Sequence, residues 1–147
     1  MRLHELLGTA LIAILLTVSA LAAEPEQKVD KALDVPRQYS PDEALSRGRE
    51  LRQLAGKGDA QAAFDFAVLL TRFGRFGPLA DASTVEEWSK LANGHSAFDW
   101  IMLAAEAGNQ PAIGTVCRFA EDPLAPAHVR EKSMARCAQL QQRYPPK

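Results

Sequence analysis

From Ser40 onward, apolar residues recur every three or four positions, and no stretch alternates apolar with polar residues under β-branched enrichment. The pattern predicts an all-α domain with no sheet. A first helix is predicted over Pro41 to Ala55. Ser40 stands as N-cap, Pro41 at the first helical position, and Asp42 and Glu43 at the positive end of the dipole. Its apolar stripe is Ala44, Leu45, Gly48, Leu51, Leu54 and Ala55, which leaves Arg47, Arg49, Glu50 and Arg52 for water. Gly56 and Gly58 bracket a turn. Asp59 opens a second helix to Phe73, with Ala62, Phe66, Leu69, Leu70 and Phe73 on its stripe. So short a connection brings the second helix back antiparallel on the first.

Gly74, Gly77 and Pro78 then enforce a loop. Thr84 and Glu87 have the spacing of a capping box, so Val85 to Ala92 is predicted as a short extra helix stopped by Asn93 and Gly94. Ser96 caps a helix over Ala97 to Ala107. Gly108 ends it in the left-handed conformation, and Asn109 caps the next helix, which runs to Ala120 with Pro111 in its first turn. Small side chains at Ala104 and Ala105 admit a neighbouring helix, and Trp100 fills the wedge between them as a core residue. Pro123 and Pro126 separate a last helix, Ala127 to Gln142. It carries Val129, Ser133, Met134, Cys137 and Leu140 on one side and Arg130, Glu131, Lys132, Arg136 and Gln141 on the other. One polar face is what a terminal helix requires.

The chain before Ser40 has a different character. Arg2, the apolar run Leu6 to Val18, and Ala20-Leu21-Ala22 read as a secretory signal peptide over residues 1–22. A membrane anchor is the alternative, but the run falls short of the ~20 residues that span a bilayer. Residues 23–39, polar and interrupted by Pro25 and Pro36, read as a flexible leader. The ordered domain is expected over 40–142, with 143–147 as a tail. The formal net charge of −1 points away from nucleic acid as a partner. Two cysteines, Cys117 and Cys137, lie in the exported part, where an even number of thiols more often makes a disulfide than a metal or catalytic site.

The turn chemistry occurs twice. Ala55, Gly58, Asp59 and Ala62 correspond one for one to Ala105, Gly108, Asn109 and Ala112, the signature of an internal repeat. With Ala97, Trp100 and Ala104 these residues carry a resemblance to the Sel1-like repeat, a subclass of the tetratricopeptide-related α/α repeats. Ala62, Phe66, Ala67 and Leu70 match the first half of the unit, Gly74, Gly77 and Asp81 the turn, and Ala97, Trp100, Ala104, Ala105 and Gly108 the second half; the next unit restarts at Ala112 with Val116, Cys117 and Ala120. Ala67 and Cys117 stand where the family has a small Gly, Leu70 and Ala120 where it has Tyr, and the extra helix sits in an insertion. The resemblance spans about Arg47 to Asp122 and implies a short right-handed α/α solenoid of antiparallel helix pairs with a C-terminal capping helix. It also implies interaction rather than catalysis: an exported, periplasmic or secreted scaffold or adaptor, monomeric, without cofactor, that holds a protein partner. Two other readings stay open. One is an envelope enzyme or small-molecule binder for a cell-wall-like or β-lactam-like ligand, the other an immunity-type inhibitor of a secreted effector. Within the repeat frame, Cys117 faces the neighbouring helix and Cys137 lies on the apolar stripe of the cap, so antiparallel packing pairs them.

Candidate chemistry is sparse. His95 and His128 with the two cysteines form no zinc spacing, and no nucleophile elbow, His-Glu-x-x-His helix or phosphate loop is present. No metal site is expected. The adjacent acids Glu86 and Glu87 point about 100° apart on a helix and do not share a site. The best surface candidate is the loop carrying Arg72, Phe73, Arg75 and Phe76, because aromatics and Arg on a Gly-rich turn resemble a contact hot spot; the alternative is that the two Phe close the core. Trp88 either staples the insert to the helix over Ala97 to Ala107, the favoured reading, or presents an exposed anchor. His95 completes the candidate partner-binding set. Mature protein is predicted to begin at Ala23. Intact mass measured on the protein outside the cytoplasm checks this, and a membrane-bound form retaining Met1 to Ala22 overturns it.

Overall fold

The structure, a computed structural model, describes residues 39–146. The expected signal segment and the leader up to residue 38 lie outside the described residues. Six helices follow one another: α1 Pro41–Gly56, α2 Ala60–Phe73, α3 Val85–Ala92, α4 Ala97–Glu106, α5 Gln110–Glu121 and α6 Ala127–Arg143. Among the described residues there is no strand, and no helix is long and apolar enough to cross a membrane.

Helix ends follow local chemistry. At α1 the Glu43 amide donates to Ser40 Oγ (3.3 Å) while Glu43 Oε2 accepts from the Ser40 amide (2.8 Å), so two otherwise orphaned donors are satisfied reciprocally. Ser96 and Asp99 repeat the arrangement at α4, with bonds of 3.2 and 2.8 Å. The capping box expected at α3 does not form. Thr84 makes no side-chain cap bond, because its backbone is already in the helical region, and Glu87 is drawn away to Lys90 (2.8 Å) and Arg49 (3.5 Å). Asp81 does the work one turn earlier: its carboxylate accepts from the Ser83 amide (2.8 Å) and its carbonyl from the Val85 amide (2.9 Å).

The α1–α2 and α4–α5 turns are built alike. Gly58 and Gly108 have φ of 92° and 90°, where an L side chain is strained. Their amides donate to Ala55 and Ala105, both at 3.0 Å. Asp59 and Asn109 then cap the following helices through the amides of Ala62 and Ala112, both at 2.9 Å. The two turns also meet, since Asn109 Nδ2 donates to Gln61 Oε1 at 2.8 Å.

The core is centred on Trp88, Phe66 and Trp100. Trp88 is fully buried, with its ring 6.1 Å from Phe66 and stacked 6.3 Å from Phe73. Trp100 meets Phe66 edge-on at 5.1 Å. On α1 the ring lies against Gly48, where an added Cβ would come within 2.5 Å of the indole. The insert helix is thus keyed by Trp88 onto α1 and α2, rather than onto α4 as the sequence suggested, in a notch that only glycine leaves open. Two apolar residues assigned to the stripes are exposed, Leu54 at 40% and Met134 at 62%. Each sits one residue from a buried position, Ala55 and Ser133, and so is turned about 100° off the packed face.

Helices α5 and α6 run antiparallel, as three links show. Gln110 Nε2 donates to the Tyr144 carbonyl (3.2 Å), a disulfide joins Cys117 to Cys137 with Cα atoms 5.0 Å apart, and Arg130 donates to the Pro123 carbonyl (3.2 Å). Tyr144, in the segment expected as tail, is ordered against the α4–α5 turn. Its hydroxyl donates to the Glu106 carbonyl (3.0 Å), and its ring covers Gly108 so closely that a Cβ there would lie 2.9 Å away.

Two predictions concern stability. Gly48→Ala is expected to cost about 1–3 kcal/mol by overpacking, and Trp88→Ala about 3–5 kcal/mol by cavity formation. Denaturant unfolding checks both, and an unchanged midpoint for Gly48→Ala would show that α3 is not seated as described. Reduction of the disulfide opens a loop of sequence separation 20 and is expected to remove about 3 kcal/mol in the chain-entropy model. In thermal melts with and without reductant, that loss corresponds to roughly 10–20 °C for a domain of this size.

Candidate functional site

The sequence-predicted surface candidates separate into two groups. Phe73 is 3% exposed and Trp88 fully buried, so both belong to the core and neither serves as a contact anchor. The structure brings Arg75, Phe76 and His95 together on one groove, with Arg72 half-buried next to them in sequence.

The loop after α2 explains why Phe73 and Phe76 diverge. The Gly74 amide closes α2 on the Leu70 carbonyl (2.9 Å), the Gly77 amide returns to Gly74 (2.8 Å), and the Leu79 amide reaches back to Arg72 (2.9 Å). The chain is hooked onto its own helix end. A Cβ at Gly74 or Gly77 would strike the carbonyl oxygens of Leu70 or Arg72, so close backbone approach, rather than a left-handed φ, is what demands glycine here. Phe73, within the helix, faces inward. Phe76, at the outer end of the hook, is 95% exposed. Its ring has the Arg75 guanidinium 5.8 Å from its centroid.

The groove beside this hook has a volume of about 450 Å³ and mostly carbon walls, among them Leu70, Phe76, Ala92 and Ala97. Its only titratable lining residues are Arg75 and His95. A second cleft of about 580 Å³ opens between the end of α1 and α4, lined by Arg52, His95, Asp99, Trp100, Leu103 and Glu106. His95 stands on the rim of both, its ring edge-on to Trp100 at 5.9 Å.

The second cleft was not anticipated from the sequence, which assigned Arg52 to water. Arg52 is half-buried instead. Its Nε donates to the Leu91 carbonyl (3.2 Å), and its guanidinium carbon lies 4.7 Å over the Trp100 ring, a cation–π contact. Leu45, Gly48 and Arg52 stand at i, i+3 and i+7, and that heptad spacing was the available signal. Burial alone would raise the Asp99 carboxyl, yet the Ser96 hydrogen bonds and the nearby Lys132 and His95 bring it below the ordinary carboxylate range. Glu106 faces Arg136 at 3.6 Å. The charges of this cleft are therefore mixed in sign.

In chemical terms the face offers an exposed aromatic, an apolar groove and a few cations. Among the described residues no hydroxyl or thiol donates to an imidazole, and no three His, Cys, Asp or Glu side chains converge as a metal site. Of the remaining sequence-predicted residues, Ala62, Ala104, Ala105 and Ala112 are buried and shape the scaffold, while Ala55 and Trp100, buried as well, line the second cleft. No family model, no curated protein and no solved structure matches this chain.

Proposed function

We propose that this chain is an exported adaptor of the Sel1-like kind that holds a protein partner on the face bearing Phe76. The observation that carries the reading is a large aromatic side chain, 95% exposed, held out by a backbone-bonded hook at the mouth of an apolar groove. An exposed aromatic of this kind incurs a solvation cost that contact with a partner relieves. The like construction of the α1–α2 and α4–α5 turns supports the repeat reading, in which paired helices continue as a right-handed solenoid and α6 is its cap. The disulfide supports residence in an oxidising compartment.

A second reading, binding of a small molecule, has its own observation in the cleft where Arg52, His95, Asp99 and Glu106 converge on Trp100. Site-specific photocrosslinking in the native envelope separates the two. A crosslinker at position 76 is expected to give a discrete protein adduct that is absent from the control position Leu124, which is 90% exposed on another loop. Phe76→Ala should leave thermal stability within about 0.5 kcal/mol of the parent while adducts from a neighbouring probe at Arg75 disappear. Equal adducts at 76 and 124 would sink the adaptor reading. Loss of function confined to Arg52→Ala would favour the small-molecule one.

A further inference from the structure

We infer that the partner segment accepted by the groove beside Phe76 carries a large apolar side chain next to a carboxylate. The inference rests on the adaptor reading and narrows its partner class to an acidic, aromatic or aliphatic peptide. Two features of the groove lead to it.

The first is the wall. Leu70, Phe76, Ala92 and Ala97 present carbon, and the volume of about 450 Å³ lies within the range of ligand-binding clefts, ample for a bulky apolar side chain. A polar side chain placed there would lose its water without recovering hydrogen bonds.

The second is the charge at the rim. Arg75 and His95 line the groove, and no carboxylate does. Four cations of the domain meet carboxylates, Arg47 with Glu50 at 2.9 Å, Arg49 with Glu87 at 3.5 Å, Lys90 with Glu87 at 2.8 Å and Arg136 with Glu106 at 3.6 Å, whereas others such as Arg118 and Arg130 bond to neutral oxygens. Among the described residues Arg75 has no such carboxylate partner. Arg75 also lines a second hollow together with Asp81 and Glu86, whose carboxylates bond elsewhere, Glu86 to Lys90 (3.3 Å) and Asp81 to Ser83. The guanidinium therefore stands at the mouth of an apolar groove with its donors free. It is a planar fork suited to a carboxylate and already placed over an aromatic ring. The mixed charges of the Arg52 cleft show no such preference of sign.

The test uses fluorescence anisotropy of the mature full chain against three labelled peptide pools of equal hydrophobicity. One places Glu or Asp next to Phe or Leu, one carries the corresponding amides, and one carries Lys. The acidic pool is expected to bind at least about tenfold more tightly than the amide pool, and its affinity should fall as salt is raised. Arg75→Glu should remove that advantage and shift preference towards the Lys pool, while Phe76→Ala should weaken all pools alike. Circular dichroism verifies that both variants fold. Equal binding of the three pools, or a preference for Lys in the parent, overturns the charge assignment; if that binding still depends on Phe76, the adaptor reading survives it. Binding lost in Arg52→Ala but kept in Arg75→Glu overturns the placement. If no pool binds while the crosslink at position 76 persists, the peptide inference falls alone, and if both fail, both fall.

Discussion

The arrangement depends on one contact, the seating of the Trp88 indole in the notch left by Gly48. An eight-residue helix has little stability of its own, because nucleation costs almost as much as so few hydrogen bonds return. Trp88 gives α3 a reason to exist by placing one large ring against α1 at Gly48 and against Phe66 and Phe73 of α2. Phe66 in turn lies against Trp100, so the insert, the first helix pair and α4 share one aromatic core. Arg49 to Glu87 and Arg52 to the Leu91 carbonyl are polar fastenings at the edge of that seat, and neither would fix the geometry without it.

The surface face is a consequence of this seat. Ala92 and His95, which line the groove, are positioned by α3 and the left-handed turn at Asn93 and Gly94 that ends it. The opposite wall comes from the glycine hook after α2. The groove is thus built between a keyed helix and a hooked loop, each held by its own contacts.

The helices were legible because their signals are local. Ser40, Asp59, Ser96, Asn109, Gly58 and Gly108 act within one turn of themselves, and each was readable from its neighbours. The disulfide was legible too, since it needed only the antiparallel register of the last two helices. What escaped were distinctions that depend on a third element. Whether Thr84 and Glu87 form a box depends on the backbone Thr84 adopts and on the competition of Lys90 and, thirty-eight residues away, Arg49 for Glu87. Whether Phe73 and Trp88 are core or surface depends on a missing side chain at Gly48. Arg52 looked like a solvent residue until Trp100 was placed beneath it. Tyr144 has no periodic pattern to announce it, and its use is visible only when α6 is laid beside the α4–α5 turn.

The Cys117–Cys137 bond has a consequence for how the chain matures. The sequence holds two cysteines, so a single intramolecular pairing is possible and oxidation has no wrong partner to choose. The chain needs an oxidant but no reshuffling step, and α5 and α6 can be locked as a hairpin by contacts close in sequence. Any mispaired product would have to be intermolecular. Its yield would rise with protein concentration rather than with time.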